Sequence, residues 1–240
     1  MNIMERKIFL KNSVSALGLA FVAPLLKSCA KEKVADTTSA SGTDSGSCEV
    51  SPTETAGPFP TITPSSLVSS NIVSDRSGVA LTIKLTVNNS KSSCAALSGA
   101  IVDVWHCDAA GNYSEYGGGG MQSSNYTSVH FLRGRQTTNS SGLVTFTSIF
   151  PGWYSGRAPH IHVHVYSADG TSLLITQIAF PTDVCNTVYT TAADYKSRGT
   201  QDTSNSSDNV FSDSLASELA TVSGSVSDGY TLTHIITVSS

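Results

Sequence analysis

Three histidines in the second half of the chain have the spacing of metal ligands on a β-strand. If Pro159–Val165 is a strand, His160, His162 and His164 share one face and apolar residues occupy the other. Side chains two residues apart lie about 7 Å from each other along a strand, so imidazoles at this spacing can converge on one ion. Buried imidazoles need partners, and metal ligation is one way to supply them. Exposure to solvent or local hydrogen bonding is the alternative for each histidine.

Two tyrosines lie close enough in sequence to join this group. Tyr154 is in a Gly- and Pro-containing turn, Phe150–Arg157, that leads into the histidine strand. Tyr113 follows a turn after an apolar segment, where a single tyrosine usually serves packing. Phenolate oxygen suits the hard cation Fe(III), whereas imidazole suits several transition metals. Residue types alone therefore leave the metal open.

The elements that must position these residues are strands. Ala80–Asn88 alternates apolar and polar residues with the period of a half-buried strand. We predict five more strands, at Ala100–Cys107, Leu143–Phe150, His160–Ser167, Leu173–Phe180 and Tyr230–Val238. One short helix is expected at Ser214–Val222, and the polar segment Ser197–Asp208 is expected to be a surface loop. The pattern predicts an all-β fold, a β-sandwich of mixed or antiparallel strands with few or no helices.

Composition agrees with this fold class and excludes one class of partner. Charged residues make up 13% of the chain and hydrophobic residues 39%. Without its first 28 residues the chain has 10 Lys and Arg against 17 Asp and Glu, a net charge of −7. Such an acidic surface repels phosphate backbones, so we expect no nucleic acid partner.

The N-terminal segment is expected to be an export signal. Residues 1–28 combine a basic start with a short apolar run, which is typical of a secretory signal. Arg6–Lys11 resembles a twin-arginine motif, and Leu26–Cys29 resembles a lipobox that would make Cys29 a lipid anchor. Residues 29–47 are expected to be a flexible tether and residues 48–240 the folded domain. These features predict a periplasmic or outer-surface lipoprotein of a bacterium, with ordinary Sec export as the alternative.

Four further cysteines follow Cys29, namely Cys48, Cys94, Cys107 and Cys185. An even number in an oxidising compartment suggests two disulfides, with three pairings possible. Cys107 is close to the predicted site and could instead be a buried free thiol.

Five segments together resemble the intradiol ring-cleavage dioxygenases, a family that includes protocatechuate 3,4-dioxygenases and catechol 1,2-dioxygenases. They occur in the family's order and are Thr53–Phe59, Val104–Tyr113, Phe131–Gly134, Phe150–His162 and Thr176–Gln177. Arg157–His162 is the most specific of them. The chain has no recognisable helical N-terminal domain, so it is most similar to the small secreted, single-domain branch.

The resemblance implies a role for individual residues. Fe(III) would be held by Tyr113, Tyr154, His160 and His162, and Tyr154 would leave the metal when substrate chelates it. Arg157 would stabilise negative charge on the substrate, and Gln177 would lie near the point of oxygen attack. Substrate contacts would come from Thr55, Gly57, Pro58 and Trp153. His164 matches no ligand.

The resemblance also implies a reaction. A small aromatic diol and O2 would be converted to a cis,cis-muconate-type diacid that incorporates both oxygen atoms. The ring substituents and the oligomeric state stay open, with a homo-oligomer among the possibilities. Two alternatives are a non-catalytic exported β-sandwich binding lipoprotein and a copper or zinc protein with histidines on a strand.

Overall fold

The computed structural model describes residues 48–240, which form a two-sheet β-sandwich. The elements in chain order are β1 (Ala80–Asn89), β2 (Ala95–Ala96), β3 (Ile101–Trp105), β4 (Arg133–Thr137), β5 (Leu143–Ile149), β6 (His160–Tyr166), β7 (Ser172–Ala179), α1 (Thr182–Thr191), α2 (Leu215–Glu218), β8 (Thr221–Ser225) and β9 (Gly229–Val238). The predicted export signal and tether lie outside the described residues. The predicted all-β fold class is confirmed.

One sheet is mixed and the other is antiparallel. In the first sheet β1 pairs antiparallel with β2 and β5 and parallel with β9, which in turn pairs with β8. The second sheet has the order β4-β3-β6-β7 with antiparallel pairs throughout. All six strands that the sequence predicted pair with at least one neighbour in these two sheets.

The core lies between the sheets because each sheet turns its alternating apolar residues inward. Ile83 and Leu85 of β1 and Ile161, Val163 and Val165 of β6 are all fully buried in one cluster. Since neighbouring side chains on a strand point to opposite faces, the histidines of β6 lie on the outer face of the second sheet. The candidate site is therefore built on the sandwich surface, beneath the loops that cover that face.

Several local expectations were wrong. Helix α1 was not predicted, and it buries Cys185, Val188 and Tyr189 against the main core. Strands β2, β4 and β8 were also missed. The predicted helix at Ser214–Val222 forms only over Leu215–Glu218. No helix within residues 48–240 has the length and apolar character needed to span a membrane.

The expectation of two disulfides was wrong as well. Cys48 and Cys94 form a disulfide, with Cα atoms 5.5 Å apart. Cys107 and Cys185 are buried free thiols. Cys107 packs beside Tyr113, whereas Cys185 lies in the main core between the sheets.

Candidate active site

His160 and His162 form the centre of the site. Both rings are buried on the outer face of β6, and their Nε2 atoms are 3.1 Å apart. Nδ1 of His160 lies 2.6 Å from the carbonyl oxygen of Ala158. A carbonyl oxygen can only accept, so Nδ1 carries the proton and Nε2 presents its lone pair. Burial lowers the pKa of His160 to about 3 and that of His162 well below its usual value, so both imidazoles are neutral and able to bind a metal.

Strand register places two more side chains beside His162. Gln177 of β7 and Trp105 of β3 are its direct neighbours across the sheet. The Trp105 and His162 rings stack, with centroids 4.9 Å apart and planes inclined by 2°. A Cβ on Gly57 would lie 2.9 Å from Cε1 of His162, so only glycine allows the backbone this close. Nδ1 of His162 is buried without a hydrogen-bond partner among the described residues.

Tyr113 reaches the histidines from the loop between β3 and β4. Asp108 shapes the preceding turn by accepting hydrogen bonds from the backbone N–H groups of Ala110 and Asn112. Gln122 then holds the Tyr113 backbone through both its N–H and its carbonyl group. The Tyr113 hydroxyl lies 3.3 Å from Nε2 of His160. Burial raises the pKa of Tyr113 well above its usual value, so its phenolate requires a nearby cation.

Tyr154 completes the set from the turn before β6. Its ring centroid lies 5.8 Å from that of Tyr113 and 5.6 Å from that of His160. Burial raises the pKa of Tyr154, and the positive charge of Arg157 partly opposes this effect. Unlike the fully buried Tyr113, Tyr154 is only partly buried. Tyr154 is therefore the tyrosine with room to move.

Arg157 connects Tyr154 to Gln177. Its Nη1 lies 3.3 Å from the Tyr154 hydroxyl, and its Nη2 donates to Oε1 of Gln177 at 2.7 Å. Nε2 of Gln177 donates to the carbonyl oxygen of Thr55 at 2.8 Å, which fixes the orientation of the amide. The third nitrogen of Arg157, Nε, donates to the buried carboxylate of Asp208 at 2.9 Å. These contacts place one guanidinium between the tyrosine, the amide and a carboxylate.

A cavity of about 370 Å³ opens beside these residues. Thr55, Gly57, Pro58, Tyr154 and Arg157 line it together with the exposed Met121 and Asn209. Its volume falls within the range of small-molecule sites. Trp153 does not line the cavity. Its indole N–H donates to the carbonyl oxygen of Gly199, and the Arg198 guanidinium lies 4.3 Å from its ring centroid.

Four side chains in this cluster could hold a metal ion. They offer two phenol oxygens and two imidazole nitrogens as metal ligands. Three of these atoms already lie close together: Nε2 of His160 is 3.3 Å from the Tyr113 hydroxyl and 3.1 Å from Nε2 of His162. Desolvation disfavours the charged form of each of the four groups. A bound cation would instead favour the charged phenolate forms of Tyr113 and Tyr154. The buried, partnerless Nδ1 of His162 marks the same cluster as incompletely satisfied. The residues present therefore fit a metal centre.

The comparisons with known proteins identify the family. A family model described as "Dioxygenase" matches residues 62–213, which is more than half of the chain. The solved structure of an intradiol ring-cleavage dioxygenase from Tetranychus urticae is 29% identical, with a TM-score of 0.71. The match covers 80% of this chain and 95% of that one. The chain belongs to the intradiol ring-cleavage dioxygenase family.

Two further relatives agree with this assignment. A chlorocatechol 1,2-dioxygenase from Rhodococcus opacus is 32% identical in a match of length 111 that covers 38% of this chain and 40% of the relative. The matching part of the chain thus spans less than half of that curated relative. The dioxygenase domain of a carbohydrate-binding fusion from Streptomyces sp. SirexAA-E is 24% identical with a TM-score of 0.56, covering 80% of this chain and 99% of that one. This last likeness concerns the fold alone.

The remaining histidines of the intradiol dioxygenase domain either form hydrogen bonds outside the site or lie in the other sheet. His164 continues the outer face of β6 but is half-buried and bonds to Ser172 at 2.7 Å. His106 bonds to the Cys107 carbonyl and the Ser148 hydroxyl, and His130 bonds to Glu115. His234 lies in β9, in the opposite sheet.

Asp208 was not identified from the sequence as a residue of this active site. The segment Ser197–Asp208 was expected to be a surface loop, yet Asp208 at its end is fully buried. The apolar pair Val210 and Phe211, both buried, follows it and signals that the chain turns inward here. The apolar pair could have indicated a buried segment, but the sequence alone does not show that the Asp208 carboxylate binds Arg157.

Proposed function

We propose that this chain is a non-haem Fe(III) dioxygenase that cleaves a catechol-type aromatic diol between its two hydroxylated carbons. O2 is the second substrate, and a cis,cis-muconate-type diacid containing both oxygen atoms is the product. The observation that carries the proposal is the convergence of His160, His162, Tyr113 and Tyr154 beside a cavity that also exposes Arg157. Two phenolates and two imidazoles suit Fe(III) better than softer ions.

The protein's own groups divide the work in this proposal. Bound Fe(III) supplies Lewis acidity, which favours the deprotonated form of the diol and activates it toward O2. Tyr113, fully buried and clamped by Gln122, remains a fixed ligand. Tyr154 would be the second phenolate ligand, and it lines the cavity that the diol would enter. Its phenolate oxygen is thereby placed to accept a proton from the hydroxyl group of the entering diol.

Arg157 acts as an electrostatic stabiliser. Its guanidinium lies 3.3 Å from the Tyr154 hydroxyl, so it is close to the negative charge that develops on the ring during oxygen attack. A fixed cation in a site from which water is excluded lowers the energy of that charge more than a solvated one does. Gln177 accepts a hydrogen bond from Arg157 and donates one to the Thr55 carbonyl oxygen, so its amide supports the guanidinium from beneath the cavity surface.

Isotope labelling of the product tests the reaction, and a pair of histidine variants tests the site. Turnover of catechol under ¹⁸O2 should give a diacid with two labelled oxygens. His160→Ala should abolish bound iron and turnover, whereas His164→Ala, on the same face of the same strand, should keep both. Equal iron content and activity in these two variants would contradict the ligand assignment.

The alternatives predict different results. A non-catalytic binding lipoprotein would bind aromatic diols without consuming O2. A copper or zinc protein would keep its metal in a Tyr154→Phe variant, because it would not use the phenolate. The 3.3 Å contact between the Tyr113 hydroxyl and Nε2 of His160 favours the dioxygenase.

We further propose that the domain is exported and anchored through Cys29. The support is the order of basic start, apolar run and lipobox-like residues in the sequence. Mass spectrometry of the mature protein should find Cys29 as a lipidated first residue. A Cys29→Ser variant should then be released from the membrane fraction. A full-length N-terminus in both proteins would contradict the proposal.

A further inference from the structure

We propose that Asp208 is a positioning residue that fixes the Arg157 guanidinium at the reaction site. The inference rests on the proposed function and assigns a role to a residue outside the predicted ligand set. Asp208 is fully buried, and its carboxylate contacts Nε of Arg157 at 3.1 and 2.9 Å. It also accepts backbone N–H hydrogen bonds from Ala158 at 2.7 Å and Val210 at 2.9 Å.

The carboxylate determines which nitrogen of Arg157 faces which partner. With Nε occupied by Asp208, Nη1 points to the Tyr154 hydroxyl and Nη2 points to Gln177. The guanidinium is planar, so fixing one edge of it fixes the directions of all its donors. Without Asp208, the cation could rotate toward the open cavity and toward solvent.

Asp208 also connects Arg157 to the metal-binding strand. Ala158 donates its N–H to Asp208 and accepts the Nδ1–H of His160 with its carbonyl oxygen. The same carboxylate therefore holds Arg157 directly and the His160 ring through one intervening residue. Phe211, three residues after Asp208, packs near both His160 and Arg157. Residues 208–211 thus form a single support for the cation and one imidazole.

The Asp208→Asn variant tests this role because it keeps the size of the side chain. Ala158 and Val210 donate to different carboxylate oxygens, so the amide keeps an acceptor for only one of these two N–H groups. It also loses the charge and turns an N–H₂ group toward the other donors. We expect kcat to fall roughly 100-fold, the size of effect that follows from misplacing a reacting group by about 1 Å. KM and the anaerobic dissociation constant for catechol, measured from the visible spectrum, should change little.

Asp202→Asn is the matched control. Asp202 lies in the same loop and bonds to Ser155 and Gly156 at the cavity mouth, but it does not contact Arg157. Its variant should keep a kcat close to that of the unaltered enzyme. If Asp202→Asn lowers kcat as much as Asp208→Asn, loop integrity rather than Arg157 placement is responsible and the proposal is wrong.

A double-mutant cycle separates positioning from general support. In an Arg157→Ala background, Asp208→Asn should lower kcat by only a small further factor, because the guanidinium is gone and only the indirect contact to His160 through Ala158 remains. An undiminished 100-fold loss in that background would overturn the proposal.

If Asp208→Asn does not fold, Asp208→Glu keeps the charge and moves the carboxylate by one methylene. It should lower kcat while the anaerobic catechol affinity holds, and an unchanged kcat would contradict the proposal.

These outcomes are distinct from a failure of the proposed function. In that case the unaltered protein would lack iron or would not consume O2 with catechol. The inference about Asp208 fails when the unaltered protein is active and any of the contradicting variant results named above is found.

Discussion

Replacing Gly57 by alanine should disturb His162 by a predictable amount. Gly57 has φ of +70°, a backbone conformation that costs other residues about 1–2 kcal/mol. In addition, the new Cβ would lie 2.9 Å from Cε1 of His162, about 0.5 Å inside the ordinary contact range that starts at 3.4 Å. The stacked Trp105 ring limits how far the imidazole can rotate to relieve this contact. A displacement of that size predicts a loss in kcat of roughly tenfold.

Gly170 provides the matched control for this prediction. It has φ of +87° in the turn between β6 and β7, and a Cβ there would contact nothing within 4 Å. Gly170→Ala should therefore lower the free energy of unfolding by a similar 1–2 kcal/mol without changing iron content or kcat. Urea unfolding, iron per chain and steady-state turnover measure the three quantities. The reasoning is refuted if Gly57→Ala matches Gly170→Ala in iron content and kcat.

Three further perturbations have outcomes that follow from single features. Replacing Cys48 and Cys94 by serine opens a disulfide with a sequence separation of 46 and should reduce the free energy of unfolding by about 4 kcal/mol, measured by urea titration, with iron content unchanged. Burial raises the pKa of Glu218 from 4.5 to about 7, so between these pH values the folded state keeps a proton that the unfolded state releases. The free energy of unfolding should therefore fall as the pH rises from 4.5 to about 7. Glu218→Gln should reduce this pH dependence in unfolding measurements, and an unchanged dependence would refute the explanation. Arg157 is the one cation among the cavity-lining residues that the structure describes, and it is already paired with the carboxylate of Asp208. A catechol carrying a carboxylate group should therefore have a lower kcat/KM than catechol itself. Asn209→Arg should reduce this difference in kcat/KM at low ionic strength, and an unchanged difference would argue against charge as the cause.

The fold was predictable where the side-chain pattern matched the strand period. β1 buries every second residue, and β6 alternates histidines with the core residues Ile161, Val163 and Val165; both strands were predicted from that alternation. β4 was missed because its sequence, Arg133–Thr137, is mostly polar, and it pairs with β3 through its backbone. α1 was missed because residues 182–191 are rich in β-branched side chains, which have low helix propensity. Its buried residues, at the spacing of one helix face, stabilise it against the core.

The candidate site was predictable as a set of residue types but not as a network. Tyr154 and the histidine pair come from one short segment, whereas Tyr113, 47 residues before His160, was expected at the site only through the family resemblance; the structure brings all four together. Gln177 lies beside His162 because of strand register, which a single sequence does not specify. Arg157, the partner of Asp208, is 51 residues away in sequence, and the disulfide between Cys48 and Cys94 has a sequence separation of 46. Contacts at such separations depend on the folded arrangement of the two sheets.

The visible absorption spectrum of the purified protein tests the central claim most directly. With Fe(III) held by Tyr113 and Tyr154, the protein should show a tyrosinate-to-iron band that shifts to longer wavelength when catechol is added without oxygen. Tyr154→Phe should weaken that band. A protein that stays colourless after reconstitution with Fe(III), with or without catechol, would contradict the ligand assignment and with it the proposed reaction.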